Sequence, residues 1–408
     1  MAERGPLRVA FTYISRRRWA GGYNYQLNLF TALARYFPGR IVPVLFAGAG
    51  DPEAELVPLS NIAGVELVQS DAIEAFDKRS GGLATTLMMG IDRRAAEAFK
   101  AKRIDIVFES ARFFGWRLPI PALAWFPDFQ HRKLPALFSP FVRWRRDLGF
   151  RMQIASGRGV LLSSESALAD FRAAYPRASN TIAVARFATE PSPALLKADA
   201  AAVIAEYRLP DRFFYLPNQF YHHKNHPLVI EALTILKQRG LDVVIAASGS
   251  TEEPRKTDHF SRLMREVAER GIEANFRYLG LIPLAHVYAL LRSSMALINP
   301  SRFEGWSTTV EEAKSFGVPM ILSGLPVHRE QAGASARYFD VDDAEALARH
   351  LAAVSQAPEP AVVRNLLPGL DQRVAAFAGD FVAAVEKCAD QFERRSWSRI
   401  TLRGSSTE

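Results

Sequence analysis

Residues 299–319 read NPSRFEGWSTTVEEAKSFGVP and follow a short apolar run. Residues 296–299 begin with three apolar residues, end in an asparagine and predict a buried strand, after which a polar loop leads into residues with helical apolar spacing. Gly317 and Pro319 end the predicted helix. A buried strand that feeds a helix through a short loop is the unit from which parallel α/β sheets are built.

The same alternation continues on both sides of this stretch. The predicted strands fall into two series, the first at residues 8–13, 41–46, 104–108, 122–126, 159–162 and 181–184, the second at residues 213–216, 242–247, 276–279, 296–299, 320–322 and 338–339. Helical patterns fill most gaps, including residues 25–36, 91–101, 227–238, 261–269 and 310–316. Two such series predict an α/β protein with two Rossmann-like, doubly wound parallel-sheet domains that face a cleft.

Length and composition limit what the chain can be. It has 408 residues, of which 49% are apolar and 11% aromatic, so a disordered chain is excluded and two cores can be filled. The linker-rich residues 188–193 predict a boundary between an N-terminal domain, residues 1–189, and a C-terminal domain, residues 190–371.

The cysteine content indicates the cellular compartment. Cys388 is the one cysteine, which excludes a disulfide scaffold and favours a reducing cytoplasm. We expect no signal peptide and no membrane-spanning segment.

The net charge of the chain narrows the possible binding partners only in part. The formal net charge is +8, which favours anionic partners without choosing among nucleic acid, an anionic membrane surface and a phosphorylated small molecule. Because the basic residues are dispersed and form no nucleic-acid-binding motif, nucleic acid is not expected. Residues 143–151 are denser in arginine and include a tryptophan. They fit a solvated surface helix, which we favour, or a helix that rests on an anionic membrane.

The loop within residues 299–319 has the features of a phosphate site. Ser307 and Thr308 are good N-cap residues, and Thr308 with Glu311 fits a capping box. The loop therefore combines hydroxyl groups with backbone N–H groups at a helix N-terminus. Glu304 and Glu312 flank it, and a carboxylate there can accept two hydrogen bonds from sugar hydroxyls. The alternative is that Glu311 and Glu312 only complement the helix dipole.

The spacing Glu304-x7-Glu312, followed by Gly317-Val-Pro, Ser-Gly-Leu-Pro and Glu330, resembles the signature of a known family. This is the family of retaining, nucleotide-sugar-dependent group-1 glycosyltransferases of the GT-B fold. The resemblance covers the second half of the chain and, more loosely, the first half. It implies that Glu304 contacts the transferred sugar and that Glu312 contacts the nucleotide ribose. It also implies a set of residues around the donor diphosphate: Gly305, Trp306, Ser307 and Thr308.

A second loop, after the predicted strand 213–216, contains Lys224 and Asn225. Family members read Gly-Arg-x4-Lys-Asn here, with both cations on the diphosphate. Asn218 and Gln219 replace the glycine and the arginine, so Gln219 can hydrogen-bond a phosphate but brings no charge. The loop histidines are interpreted as polar residues without a metal, because no Asp, Glu or Cys with ligand spacing accompanies them. They are His222, His223 and His226.

Further positions are assigned to the site. Gly22 belongs to a Gly-Gly pair that matches a family loop near the donor pyrophosphate, and an ordinary turn is the alternative. Asp128 matches the second residue of a His-Asp loop of the family. A proline occupies the His position, and His131 is the candidate replacement as a catalytic group. Gly280 lies within residues 278–282, where a pocket for the nucleotide base is expected.

The resemblance implies retaining transfer of a hexosyl group from a nucleoside-diphosphate sugar to an acceptor hydroxyl, in bacterial polysaccharide or lipopolysaccharide assembly. Lys224 and Glu304 are then the principal catalytic residues, joined by Asp128 and His131. We expect a reaction without a metal or another cofactor, and we interpret the Asp340-x-Asp342 pattern as a helix-capping loop.

The expected partners are the nucleotide sugar and a glycan or glycolipid acceptor. We expect a cytoplasmic protein with peripheral contact to the inner membrane face. The family also implies that a C-terminal helix, residues 372–395, completes the first domain. The leading alternative is a nucleotide-sugar epimerase of the same architecture, and a nucleic-acid-binding module is a weaker one.

Overall fold

The structure, a computed structural model, describes residues 5–73, 82–110, 112–252, 258–357 and 362–404. The described chain divides into two compact units. The first contains the residues up to His131, residues Ser139–Ala188 and the residues from Gln372 onward. The second contains Arg132–Phe138 and Thr189–Asp371. Among the described residues, no helix is both long and apolar enough to cross a lipid bilayer.

The first unit is built on a parallel sheet. Its strands are β1 (Leu7–Thr12), β2 (Ile41–Ala47), β3 (Glu66–Gln69), β4 (Ile106–Ser110), β5 (Ala122–Phe126), β6 (Gly159–Leu162) and β7 (Ile182–Val184). Its helices are α1 (Ala20–Tyr36), α2 (Glu53–Ser60), α3 (Gly82–Met89), α4 (Arg93–Ala101), α6 (Pro140–Ala155) and α7 (Glu165–Ala174), and it also contains the first two residues of the short helix α5 (Gln130–Lys133). The strand order is β3-β2-β1-β4-β5-β6-β7, so the chain winds outward from β1 in both directions.

The second unit repeats this plan. Its strands are β8 (Phe214–Leu216), β9 (Ile245–Ala247), β10 (Phe276–Tyr278), β11 (Leu297–Asn299), β12 (Met320–Ser323) and β13 (Ala336–Phe339). Its helices are α8 (Ala200–Glu206), α9 (His226–Gln238), α10 (His259–Glu269), α11 (Leu284–Ser293), α12 (Thr308–Phe316), α13 (Pro326–Ala332) and α14 (Ala344–Ser355). The order β10-β9-β8-β11-β12-β13 reverses direction between β8 and β11. Ligands of open parallel sheets bind beyond the carboxyl ends of the strands at such a reversal.

The long C-terminal helix, α15 (Leu370–Gly404), is counted with the first unit from Gln372 onward. Phe381 of this helix packs against Phe11 and Phe108, with ring centroids 5.9 and 5.5 Å apart. Phe377 meets the edge of Tyr25 at 5.5 Å. The helix therefore supplies aromatic side chains to the core beneath β1 and β4.

The predicted fold class is confirmed, because both sheets are parallel and doubly wound. Most predicted strands lie within a few residues of the observed ones, since buried parallel strands are continuous apolar runs. The strand β3 was not predicted. It is an edge strand, and Glu66, Leu67 and Gln69 are exposed. Its sequence therefore lacks the apolar run by which the other strands are recognised.

Candidate functional site

Polar side chains gather where β8 and β11, neighbours in the second sheet, reach their carboxyl ends. Lys224 lies in a 3₁₀ turn, His222–Lys224, between β8 and α9. Glu304 lies in the loop between β11 and α12. The parallel order of the two strands places both loops at one edge of the sheet, where the two side chains meet.

Asn299, the buried last residue of β11, organises this edge. Its Nδ2 donates to Ser307 Oγ at 2.9 Å and lies 3.5 Å from Glu304 Oε1. Its Oδ1 accepts from Asn218 Nδ2 at 3.3 Å and from the backbone N–H of Ser301 at 3.2 Å. The Ser301 hydroxyl lies 2.6 Å from Asn299 Oδ1 and 2.7 Å from Glu304 Oε1. One asparagine thus connects both loops, although its position in the sequence predicts only that it ends the strand.

Lys224 and Glu304 form an ion pair with 2.6 Å between Nζ and Oε1. Their side chains are only 17% and 9% exposed. Burial alone would raise the pKa of Glu304, but the Lys224 ammonium, with His328 and His223 nearby, lowers that pKa to about 2. The Glu304 carboxyl is therefore ionised at neutral pH, and the Lys224 ammonium beside it is placed to meet an anionic ligand.

The start of α12 differs from the predicted capping box. Ser307 is the N-cap residue, and Thr308 is already the first residue of the helix. The Ser307 side chain makes no capping hydrogen bond. Its backbone N–H donates to Gln331 Oε1 at 2.9 Å. The Glu311 carboxylate pairs with Lys314 at 2.8 Å instead of returning to the helix start. The capping-box prediction is wrong because the N-cap is Ser307, which moves the third helical position to Val310, a residue without a polar side chain, while Lys314 holds the Glu311 carboxylate.

Glu312 is the fifth residue of α12, beyond its first turn, and is 8% exposed. The Tyr288 hydroxyl of α11 donates to its Oε1 at 3.3 Å. Burial raises the pKa of Glu312 to about 7, and the Tyr288 hydrogen bond opposes this only in part. A buried carboxyl with few hydrogen bonds can accept further ones from ligand hydroxyls. An acid at a helix start that is exposed to solvent already receives hydrogen bonds from water.

Asn218 and Gln219 lie directly beside a glycine that the sequence analysis missed. A Cβ at Gly249, whose φ is +151°, would lie 2.5 Å from the Asn218 carbonyl oxygen. Gly249 also donates its N–H to the Gly280 carbonyl at 3.0 Å. Gly249 follows the end of β9, and this glycine after a buried strand was the available signal. The segments that carry Asn218, Gly249 and Gly280 therefore touch through their backbones.

His226, Asp342 and Asp343, near this edge, contact other residues of the protein. His226 stacks on Phe220 with 4.2 Å between ring centroids. Asp342 pairs with Arg302 at 2.5 Å, and Asp343 caps α14 through the N–H of Ala346 at 2.8 Å. In the part of the chain that the structure describes, no group of three or more His, Cys, Asp or Glu side chains is arranged to hold a metal ion.

Gly22 lies in the first unit, under the Trp19 side chain. A Cβ at Gly22 would lie 2.4 Å from the indole ring. Trp19 stacks on Trp125 at 5.2 Å, and Trp125 stacks on Tyr25 at 4.1 Å. The close approach of Trp19 therefore requires a glycine at this position. The Trp19 ring covers the Gly22 backbone, which the resemblance places near the donor pyrophosphate.

Asp128 and His131 also lie in the first unit. Asp128 Oδ1 accepts the N–H of Gln130 at 2.9 Å, which fixes the turn before α5. His131 has a fully buried side chain, and its Nε2 lies 2.9 Å from Asp147 Oδ1 on α6. Burial lowers the pKa of His131. A ring without exposed surface, packed against Phe150, joins α5 to α6 and does not present a free nitrogen to solvent.

Sequence comparison finds similarity within the second unit. Residues 204–363 match the family model described as glycosyl transferases group 1. Over 90 residues, the chain is 33% identical to the O-antigen chain mannosyltransferase B of Escherichia coli. That match covers 21% of this chain and 23% of the relative's length.

Structural comparison extends over nearly the whole chain. A glycosyltransferase from Rickettsia africae has a TM-score of 0.66 at 13% identity, covering 95% of this chain and 98% of its own. Anabaena HepE in complex with UDP-glucose has a TM-score of 0.60 at 14% identity, covering 96% of this chain and all of its own. The whole chain therefore has the fold of these glycosyltransferases, and residues 204–363, which contain the Lys224–Glu304 pair, match the group-1 glycosyltransferase family.

Proposed function

We propose that the protein is a retaining glycosyltransferase that takes a sugar from a nucleoside-diphosphate sugar and passes it to an acceptor hydroxyl. The Lys224–Glu304 ion pair at the carboxyl edge of the second sheet carries the proposal. It joins a cation suited to a diphosphate with a carboxylate suited to sugar hydroxyls, inside the region that matches the family.

The proposed donor site uses the two loops that Asn299 joins. The diphosphate lies against the start of α12, near Gly305 and Thr308, where the helix dipole favours negative charge. Lys224 turns from Glu304 towards the diphosphate and stabilises the charge that develops as the diphosphate departs. Asn218 and Gln219 complete the loop beside it, and Gln219 donates a neutral hydrogen bond where the family has a cation.

Glu304 and Glu312 have separate parts in this proposal. Glu304 accepts hydrogen bonds from hydroxyls of the transferred sugar and so orients the reacting carbon. Glu312, buried beside Tyr288, accepts from the ribose of the nucleotide. Neither is required as a covalent nucleophile. In a front-face displacement, the departing phosphate takes the proton of the attacking hydroxyl, and the anomeric configuration is retained.

The proposed acceptor is a glycan or glycolipid of bacterial polysaccharide or lipopolysaccharide assembly, reached at the inner membrane face. The sequence match to an O-antigen chain mannosyltransferase supports this class of acceptor. We further propose that the transferred group is a hexose, that the donor is the one small-molecule partner required, and that no divalent metal takes part.

The test is a transfer assay with a panel of nucleoside-diphosphate hexoses and a lipid-linked glycan extract. We expect one donor to release its nucleoside diphosphate only when the extract is present, and to give a product whose anomeric configuration, read by NMR, matches that of the donor. EDTA should leave the rate unchanged. An inverted product, or a rate that EDTA abolishes and Mg²⁺ restores, would contradict the mechanism.

The same assay separates the epimerase alternative. An epimerase converts the donor sugar without an acceptor and releases no nucleoside diphosphate. Isomerised nucleotide sugar in the samples that lack the extract would therefore favour that function over transfer.

A further inference from the structure

Helix α6 exposes an apolar face to solvent. Phe141 is 65% exposed and Trp144 is 59% exposed, and their ring centroids lie 6.1 Å apart. Surface helices of globular proteins normally turn such side chains inward. Two large aromatic side chains one helical turn apart on the outer side of a helix therefore need an explanation beyond folding.

The inner side of α6 packs against other parts of the first unit. Phe150 stacks on Phe126 with 4.1 Å between ring centroids, and Asp147 meets His131 at 2.9 Å. Gln153 is buried and donates to the buried Glu109 at 3.1 Å. These contacts fix the rotation of the helix about its axis, so the exposed side chains are held outward by packing.

The outer side has a consistent composition. At about 100° per residue, Phe141, Trp144 and Leu148 fall on one stripe. Arg145 and Arg151, both exposed, lie on either side of it. Neither arginine forms an ion pair with a residue that the structure describes. We call these five residues the α6 face.

We propose that the α6 face docks the protein on an anionic phospholipid surface. Phe141 and Trp144 enter the boundary between headgroups and acyl chains, where aromatic rings are favoured, while Arg145 and Arg151 contact lipid phosphates. The helix then lies in the plane of the membrane and does not span it.

The charge of the α6 face favours an anionic membrane over two other binding partners. A second copy of the chain, docked through the same face, would bring the arginines of both copies together, which is unfavourable. An apolar protein partner would not account for the arginines that flank the stripe. An anionic bilayer satisfies both halves of the face, because it offers an apolar layer directly beneath a layer of negative charge.

The proposal is tested by flotation of the full-length protein with vesicles. Vesicles of phosphatidylethanolamine and phosphatidylglycerol supply anionic lipid, and vesicles of phosphatidylcholine alone are the neutral comparison. The wild type should float with the anionic vesicles, less so as salt is added, because salt screens the phosphates. Its tryptophan emission should shift to shorter wavelength as Trp144 enters the lipid.

Two double variants test the aromatic and the basic residues of the α6 face separately. Phe141→Ser with Trp144→Ser should abolish flotation, and Arg145→Gln with Arg151→Gln should weaken it by about fivefold per arginine. The matched controls are Met88→Ser, which removes another highly exposed apolar side chain, and Arg172→Gln with Arg177→Gln, which removes the same charge elsewhere in the first unit. The controls should float like the wild type.

Two readouts keep this test independent of the proposed catalysis. Thermal unfolding and nucleoside-diphosphate affinity should be the same in all of these variants. The proposal is overturned if the wild type does not float with anionic vesicles, if it floats equally with neutral ones, or if the aromatic pair can be changed without effect. It is also overturned if the wild type is a dimer that the aromatic variant dissociates while flotation persists.

Discussion

Lys224 and Glu304 form an ion pair in the free protein, so the diphosphate of the proposed donor must compete with a carboxylate for one ammonium. This has a consequence for mutagenesis. Removing Lys224 alone leaves Glu304 nearly buried without its cation, and such a loss destabilises a protein by about 3–5 kcal/mol. The sequence predicts that Lys224 lies in a loop, but its side chain is only 17% exposed, so the loss of its charge is expected to affect folding as well as ligand binding. A variant that removes both charges is the cleaner probe of ligand binding.

The two glutamates should be separable by kinetics. Glu304→Gln should lower kcat, because the sugar is no longer oriented, while free nucleoside diphosphate binds at least as tightly, because Lys224 is released. Glu312→Gln should weaken nucleotide and donor about equally and appear mainly as a higher KM. Calorimetry with the nucleoside diphosphate, beside steady-state kinetics, measures both effects.

Glu345→Gln, on the exposed surface of α14, is the control for the loss of one carboxylate. The assignment of roles is reversed if Glu304→Gln abolishes nucleotide binding while Glu312→Gln spares it. It is wrong altogether if both variants behave like the control.

Glu312 should also give stability a characteristic dependence on pH. Its pKa rises from 4.5 in the unfolded chain to about 7 in the folded protein. The folded state therefore holds the proton longer, so this contribution to stability is complete below about pH 4.5 and is lost as pH rises through about 7. The loss is of the order of 3 kcal/mol across that window.

Urea unfolding across this pH range measures the effect. Glu312→Gln should flatten the fall in unfolding free energy between pH 4.5 and 7, whereas a change at the exposed Glu165 should leave it as in the wild type. An equal slope in Glu312→Gln and the wild type would show that Glu312 is not the group that titrates.

Among the structural elements, the segment that follows β9 lies against the loop with Asn218 and Gln219, which we propose as part of the donor site. Gly249→Ala should weaken nucleoside-diphosphate binding, because its Cβ must displace the Asn218 backbone, which leads towards Lys224. Gly240→Ala is the matched control, since its φ is also positive, at +72°, but its Cβ meets nothing within 4 Å. It should cost only about 1–3 kcal/mol of backbone strain without a change in affinity. Equal nucleotide affinities in the two variants would contradict the supporting role.

The elements also show what the sequence can predict about the site. The loop between β11 and α12 was found because an apolar strand, hydroxyl residues and a closing Gly317 follow one another in the chain. The Asn299 network and the Gly249 contact were missed because they join segments far apart in sequence. His131 was assigned to a cleft from its position after β5, but its burial against α6 depends on packing that local patterns do not encode.

At the scale of the whole molecule, the fold was the most predictable property. Both sheets are parallel, and nearly all of their strands are continuous apolar runs that local sequence reveals. The exceptions are informative. The edge strand β3 is exposed, and the α6 face looks like a charged surface helix until its rotation about the axis is known. Both depend on which side of an element the neighbouring elements cover.

We propose above that Lys224 binds the diphosphate of a nucleotide-sugar donor. Calorimetry of a panel of nucleoside diphosphates tests this with two variants, Glu304→Gln, which releases the Lys224 ammonium for the ligand, and Glu304→Gln with Lys224→Met, which removes that ammonium without leaving a buried carboxylate unpaired. We predict that one nucleoside diphosphate binds the single variant tightly and the double variant about 10- to 150-fold more weakly, the loss of one charge-assisted hydrogen bond of about 1.5–3 kcal/mol. Equal affinities for the two variants, or no binding by any nucleoside diphosphate, would contradict it.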